Sequence, residues 1–164
     1  MAASHKGSFR PKNKDKYRGN SENITYRSGW ELSCMMKFDN NPNVLEWSSE
    51  TVVVPYRSEV DRLIEQRTGR RKIVHKYFID FYVKLKQKDG KTVQKLIEVK
   101  PYGETIEPDR KRYKGRNAAQ RYATDVKKWL INKAKWTAAK TFAANRGMDF
   151  EIYTEKKIYG QKDN

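Results

Sequence analysis

Lys76-Tyr-Phe-Ile-Asp80-Phe-Tyr-Val-Lys84 and Val93-Gln-Lys-Leu-Ile-Glu98-Val-Lys100-Pro101 are two apolar, β-branched and aromatic runs joined through Lys88-Asp89-Gly90. Runs of this kind around a glycine-containing turn read as two antiparallel strands of a hairpin. Each carries polar residues that a half-buried strand does not favour: Asp80 in the first, Glu98 and Lys100 in the second. A three-residue loop over 88–90, with Gly90 in the left-handed region, pairs Gln87 with Lys91. Counting outward, Asp80 then lies opposite Glu98, and Phe78 opposite Lys100. Opposed residues share a face, and side chains alternate with period two, so Asp80, Glu98 and Lys100 converge on one patch. A two-residue turn would slip the register by one and send Asp80 to the other face.

The rest of the chain supplies the setting. Its 164 residues suffice for one domain with a core of its own. Thirty-six Lys and Arg against 20 Asp and Glu give a net charge of +16. Such a field favours polyanions, nucleic acid first and an anionic membrane surface second. Ten Tyr and four Trp are too many for a disordered basic tail. No stretch reaches the roughly 18 apolar residues of a membrane span, and the opening residues lack the apolar core of a signal peptide. The single Cys34 excludes an intramolecular disulfide and a cysteine-rich zinc site; its place on an apolar helical face with Trp30 and Phe38 reads as a buried thiol. With His5 and His75 the only histidines, histidine-based catalysis has almost no material.

Along the chain, residues 1–20 read as a flexible basic arm, with Arg10, Lys12, Lys14, Lys16 and Arg18 available for phosphate contact. Residues 21–158 read as a single domain, and 159–164 as a tail. Tyr26 to Asp39 predicts a short amphipathic helix, capped by Ser28 with Glu31 completing a capping box. Val44 to Tyr56 predicts one strand, with a break near Ser48. Residues 57–74, with Arg67, Gly69, Arg70, Arg71 and Lys72, read as a charged insertion or hairpin tip, and 102–117, with Arg110, Lys111, Arg112, Lys114 and Arg116, as a basic link. A long helix is expected from Ala118 to Asn145, ended by Gly147, followed by a strand over 149–154. The expected fold is α/β (α+β): a small mixed β-sheet with a central hairpin flanked by helices.

Two acids, a spacer and a lysine on adjacent strands suit phosphodiester hydrolysis. That reaction needs a nucleophile near neutral pH and neutralisation of developing negative charge, both of which bound magnesium provides. Magnesium takes oxygen ligands and keeps several waters, so Asp80, Glu98 and the Val99 carbonyl form a sufficient set, with manganese able to substitute. Lys100 would hold the attacking water or a phosphate oxygen. Glu31 and Glu50 are further candidate acids, set against plain roles as a capping residue and a solvated strand residue. Arg27 joins the basic candidates. Tyr17, Tyr102, Tyr113 and Tyr122 are candidates for stacking on unpaired bases. Lys133 and Lys135 lie on the long helix, where one of them would face the patch. The competing readings are a non-enzymatic basic DNA-binding protein of a virion or nucleoid, and an RNA-binding module.

Tyr77-Phe-Ile-Asp80-Phe with Ile97-Glu98-Val-Lys100-Pro101 resembles the PD-(D/E)XK nuclease superfamily, with its restriction-endonuclease-like core; here Ile79 stands where the motif's proline would be. Phe9-Arg10-Pro11-Lys12-Asn13, Tyr26-Arg27-Ser28-Gly-Trp30-Glu31, Pro42 to Glu50, Val52 to Tyr56, Asn132-Lys-Ala-Lys135-Trp136 and Phe150 to Glu155 resemble the head-completion nucleases of T-even-like tailed phages. The outline is also similar to the TnsA-type transposon endonucleases. These resemblances imply Asp80, Glu98 and Lys100 as the catalytic set with Glu31 as an additional acid, and magnesium as cofactor. They also imply a magnesium-dependent endodeoxyribonuclease with little sequence preference. It would act as monomer or homodimer on DNA, beside portal or head-completion proteins, in the host cytoplasm during assembly or in the virion.

Overall fold

The computed structural model describes residues 5–160. The chain runs β1 (Gly7–Phe9), β2 (Ile24–Tyr26), α1 (Gly29–Asn40), β3 (Val44–Ser49), β4 (Val53–Tyr56), α2 (Glu59–Thr68), β5 (His75–Phe78), β6 (Phe81–Lys86), β7 (Thr92–Val99), α3 (Ala118–Ala144), β8 (Asp149–Tyr153) and α4 (Glu155–Tyr159), with 3-10 turns at 14–16, 102–104 and 110–112. The principal sheet has the order β3-β6-β7-β8. The first three strands are antiparallel neighbours, and β8 joins β7 in parallel after the long crossover through α3.

This sheet is buried on both faces, which is why its strands read as nearly unbroken apolar runs. Alternation assigns the faces. Phe81, Val83, Ile97 and Val99 point to one side, where they meet Cys34, Met35 and Phe38 of α1, Trp47 and Ile158 of α4. Tyr82 and Leu96 point to the other, against Ala139 and Ala143 of α3. Both alanines are at most 1% exposed, letting the helix backbone approach the sheet closely.

Helix α1 starts where the sequence indicates: Ser28 Oγ accepts from Glu31 N at 3.1 Å. The hairpin also keeps its register, with Phe81 opposite Ile97, Lys86 opposite Thr92, and Gln87 N donating to Lys91 O at 2.7 Å. Gly90 closes the loop at φ 83°, a conformation with little cost only for glycine.

Four expectations are corrected. The run 76–84 is not one strand but breaks at 79–80, and 44–56 breaks at 50–52, just past the break expected near Ser48, leaving β4 and β5 as a separate two-stranded ribbon. Phe78 therefore pairs with Val53, not Lys100. Residues 59–68, placed in a charged insertion or hairpin tip, form α2. Its capping box is Ser58 with Asp61, and Gly69 ends it at φ 64°. The capping pair was legible, but the helix has so few apolar residues that the charge run obscured it. The basic arm is not free from residue 7 onward. β1 pairs with β2, Tyr17 bridges to Trp47, and the Asp39 carboxylate, 1% exposed, accepts from Lys12 N at 2.8 Å and Asn13 N at 3.2 Å. Finally, α4 runs through Tyr159, one residue past the end expected for the domain at 158. Residues 1–4 of the arm and 161–164 of the tail lie outside the described residues.

Candidate active site

The site lies where both broken strands bend. Ser49 pairs with Phe81 on one side of the break and Val53 with Phe78 on the other, so residues 50–52 face only 79–80. One extra residue on one strand is a β-bulge, which turns the chain and re-aims side chains. Two backbone bonds clamp the bend: Glu50 N to Asp80 O at 3.1 Å and Ile79 N to Val52 O at 2.9 Å. Glu50 takes φ 54°, the only positive φ at a non-glycine among the described residues. Such strain is held by the surrounding bonds and is commonest at functional sites.

Asp80 immediately precedes β6, whose first residue Phe81 pairs with Ile97, the residue before Glu98. Its Oδ2 accepts from Val99 N at 2.7 Å. Glu98 is 3% exposed; its Oε1 is 3.1 Å from Lys100 Nζ, whereas its buried Oε2 has no hydrogen-bond partner among the described residues. Burial, then the neighbouring Glu98 charge, raises the Asp80 carboxyl well above the ordinary range, against the pull of the Val99 N–H and Lys100. Burial alone would depress Lys100, but the Glu98 and Asp80 charges outweigh it and leave the ammonium above its usual value.

Lys135 closes this face from α3. Its Nζ lies 5.6 Å from the Tyr56 ring centroid and 5.4 Å from that of Tyr77. Burial, then the positive charge of Lys100, lowers its pKa, so the two lysines share one electrostatic site. Of the pair Lys133 and Lys135, it is Lys135 that faces the patch; Lys133 lies over Trp129. Tyr77 was not a candidate from sequence. Its buried hydroxyl adjoins Glu98, without a hydrogen bond of good geometry, and burial, then the Glu98 charge and side-chain contact, pushes its phenol far up. The bulge hid it, because parity counted from Asp80 puts Tyr77 on the wrong face.

Glu31 and Glu50 approach the patch from the α1 side. Glu31 contributes to the rise of the Asp80 carboxyl, which places its charge nearby. Its oxygens also serve the cap, Oε2 accepting from Arg27 N at 2.8 Å and Oε1 from Ser28 Oγ at 3.1 Å. Glu50 is taken by a two-pronged pair with Arg27, at 2.7 and 3.1 Å. Among the described residues no three His, Cys, Asp or Glu side chains group closely enough to enclose a metal. The oxygen donors present still suit a hard cation that retains water: Asp80, Glu98 with its unused Oε2, and a backbone carbonyl. In extended backbone a residue's N–H and C=O point to the same side, so the Val99 carbonyl shares the edge that faces Asp80.

Residues 41–155 match the family model described as TnsA-like endonuclease N terminal. The chain belongs to this family. It is also 35% identical over 151 residues to the head completion nuclease of Enterobacteria phage T4, covering 92% of this chain and 91% of that protein. The match spans β3 through the start of α4, and so every element that carries Asp80, Glu98, Lys100 and Lys135. The mixed four-stranded sheet between helices agrees with the restriction-endonuclease-like core expected of a TnsA-like endonuclease.

The basic candidates of this TnsA-like chain divide by what already holds them. Lys14 pairs with Glu22, and Lys16 Nζ donates to Asp39 O and Asn41 O, so both fasten the N-terminal segment. Lys12 contributes its backbone to that fastening and leaves its side chain exposed. Arg18 lies over the Tyr82 ring, and Arg110 over that of Tyr122. Arg10, Arg70, Arg71, Lys72, Lys111, Arg112, Lys114 and Arg116 are exposed. Among the basic candidates, Arg27 is tied to the patch through Glu31 and Glu50, and Lys135 through the charges of Lys100, Glu98 and Asp80. No helix of the described residues is long and apolar enough to cross a membrane.

Proposed function

We propose that this chain is a divalent-metal-dependent DNA endonuclease with little sequence preference, and that Asp80, Glu98 and Lys100 carry its chemistry. The observation behind the reading is the carboxylate pair of half-buried Asp80 and buried Glu98, whose charge acts on Asp80, with one Glu98 oxygen unused and Lys100 Nζ 3.1 Å from the other. Two acids crowding each other, one buried and one half-buried, are a poor arrangement for stability alone and a good one for cation binding.

Asp80, Glu98 and the Val99 carbonyl would hold the metal, magnesium first with manganese substituting. When bound, it acidifies a water and offsets charge on the phosphate. Lys100, anchored on Glu98, orients the attacking water or a phosphate oxygen. Lys135 reaches a second phosphate oxygen from the opposite wall. Glu31 is the additional acid, and Glu50 a further one once Arg27 turns to the DNA backbone. The exposed arginines and lysines neutralise further phosphates without reading bases, giving steep salt dependence. Residues 21–158 work as one nuclease domain with the N-terminal segment packed onto it. From the likeness to the phage T4 protein, the enzyme acts in head completion after DNA packaging, in the host cytoplasm or the virion, beside portal or head-completion proteins.

Plasmid nicking by wild type and Asp80→Ala, each with magnesium, manganese or EDTA, tests this. Metal-dependent nicking that the variant lacks, with DNA binding retained, is the expected result. Nicking that survives in Asp80→Ala overturns the assignment, and inert wild type on naked and packaged DNA alike favours a structural DNA-binding role.

A further inference from the structure

A cavity of about 290 Å³ opens beside the patch, between α3 and the link 102–117. Two of its walls are continuous with the site. Gly103 and Glu104 follow Lys100 by three and four residues, and the Glu104 charge is felt at Lys100. Asn132 stands one helical turn before Lys135 on α3. The cavity thus adjoins the site along both the segment that follows Lys100 and the helix that carries Lys135.

The lining is unlike the rest of this strongly basic molecule. Four acids line it, Glu104, Glu107, Asp109 and Asp125, against two bases, Arg112 and Lys128, the latter paired with Glu104. Carboxylates repel a phosphate group but accept hydrogen bonds from the exocyclic amino groups of bases. Trp129 and Tyr113 add aromatic surface, the latter fixed by its hydroxyl donating to Asp125 Oδ2 at 2.7 Å. Asn132, 5% exposed, also lines the cavity, and its buried Nδ2 has no hydrogen-bond partner among the described residues. A buried donor without an acceptor is costly, and structures retain one chiefly where something else completes it. A base carbonyl or ring nitrogen would be such an acceptor once the Asn132 side chain turns its amide into the cavity.

We propose that this cavity takes one unpaired nucleobase next to the phosphate being cut. The volume lies near the lower end of small-ligand cavities, roughly 300–1,000 Å³, and suits one base, not a base pair. The preferred substrate is thus DNA with an unpaired nucleotide at the cleavage point: a single-stranded end, a flap or a gap. A base inside an intact duplex must first be extruded at a cost of a few kcal/mol. The inference rests on the endonuclease reading, of which it specifies the substrate class.

The test uses the full chain in EDTA and oligonucleotides with 2-aminopurine in a single-stranded 5′ flap or in a continuous duplex, read by fluorescence and by affinity. Wild type should change the fluorescence of the flap base and bind flap DNA more tightly than duplex. Trp129→Ala should abolish the fluorescence change and weaken flap binding about tenfold, while leaving duplex binding unchanged. Asn132→Leu, which replaces the orphaned amide with an apolar group of similar size, should lose the flap preference while unfolding at the same or a higher temperature; a purely structural amide would leave the preference intact. Equal affinity for flap and duplex, or variants that keep the wild-type preference, overturns the cavity's role even where wild type nicks plasmid. Conversely, a flap preference lost in both variants of a protein that cleaves nothing supports the cavity and sinks the nuclease reading.

Discussion

Val99 N donates to Asp80 Oδ2 at 2.7 Å, so the strand that carries Glu98 and Lys100 also holds the side chain of the facing acid. That bond partly offsets the burial of Asp80 and the charge of Glu98, but the carboxyl remains raised well above its ordinary range.

A raised carboxyl means that the folded protein holds a proton that the unfolded chain releases. Its contribution to stability is full below the unfolded carboxylate pKa and is lost as pH rises through the folded one. Metal-free wild type should therefore lose stability from about pH 4 upward as Asp80 ionises. Asp80→Asn, which can still accept from Val99 N, should flatten that decline and melt a few degrees higher at pH 7, each kcal/mol being worth roughly 2–4 °C. Magnesium should raise the melting temperature of wild type and not that of the variant. Calorimetry across pH, with and without magnesium, checks both; a variant less stable than wild type at pH 7 contradicts the assignment.

Lys135 titrates in the opposite sense. Its lowered pKa means that folding favours the neutral amine, so the protein gains stability as pH rises through the folded value. Lys135→Met should keep or raise the melting temperature at neutral pH. Cleavage should nonetheless fall about 10- to 100-fold, as expected for losing one charge-stabilising contact. The slope of log affinity against log salt should shrink by about one. A destabilised variant with normal cleavage would make Lys135 a structural residue.

Glu50 at φ 54° offers a separate readout of strain. Glu50→Gly relieves the left-handed backbone, about 1–2 kcal/mol, and forfeits an exposed pair with Arg27 worth about 0–1 kcal/mol. Denaturant unfolding should show a net gain of up to about 1 kcal/mol. Cleavage should drop in the same variant if the carboxylate assists the metal, and Glu50→Gln should lose activity without the stability gain.

Asp39 tests whether the N-terminal segment is part of the folded body. Asp39→Ala leaves the Lys12 and Asn13 N–H groups without their acceptor, at about 1.5–3 kcal/mol for each charged hydrogen bond. Limited trypsin digestion should then cut at Arg10 to Arg18 in the variant well before wild type, with residues 21–160 remaining intact. Equal cleavage rates would return the segment to the status of a free arm.

The hairpin register was readable because its causes are local. Asp89 and Gly90 specify the loop, the loop fixes Gln87 against Lys91, and the register runs on to Phe81 opposite Ile97, which leaves Asp80 and Glu98 as neighbours at its end. Ser28 and Glu31 announced α1 for the same reason. The bend after Ile79 was not readable. It comes from one extra residue on the neighbouring strand, 50–52 against 79–80, and no stretch of sequence displays a mismatch between two strands. Helix α2 was missed because its apolar residues are few amid the charge, and the packed arm because Asp39 acts across 26 and 27 residues.

The sequence by itself determined the strand order about the hairpin, the caps, the basic charge and the candidate trio, because propensity, turn chemistry and alternation act over a few residues. Tertiary structure alone decided which lysine of α3 meets the acids, how Tyr77 and Glu50 come to border them, and that Asn132 closes a cavity beside them. Those placements depend on how a 27-residue helix rotates over a sheet and where a bulge turns two strands together, and both follow from burial summed over the whole molecule.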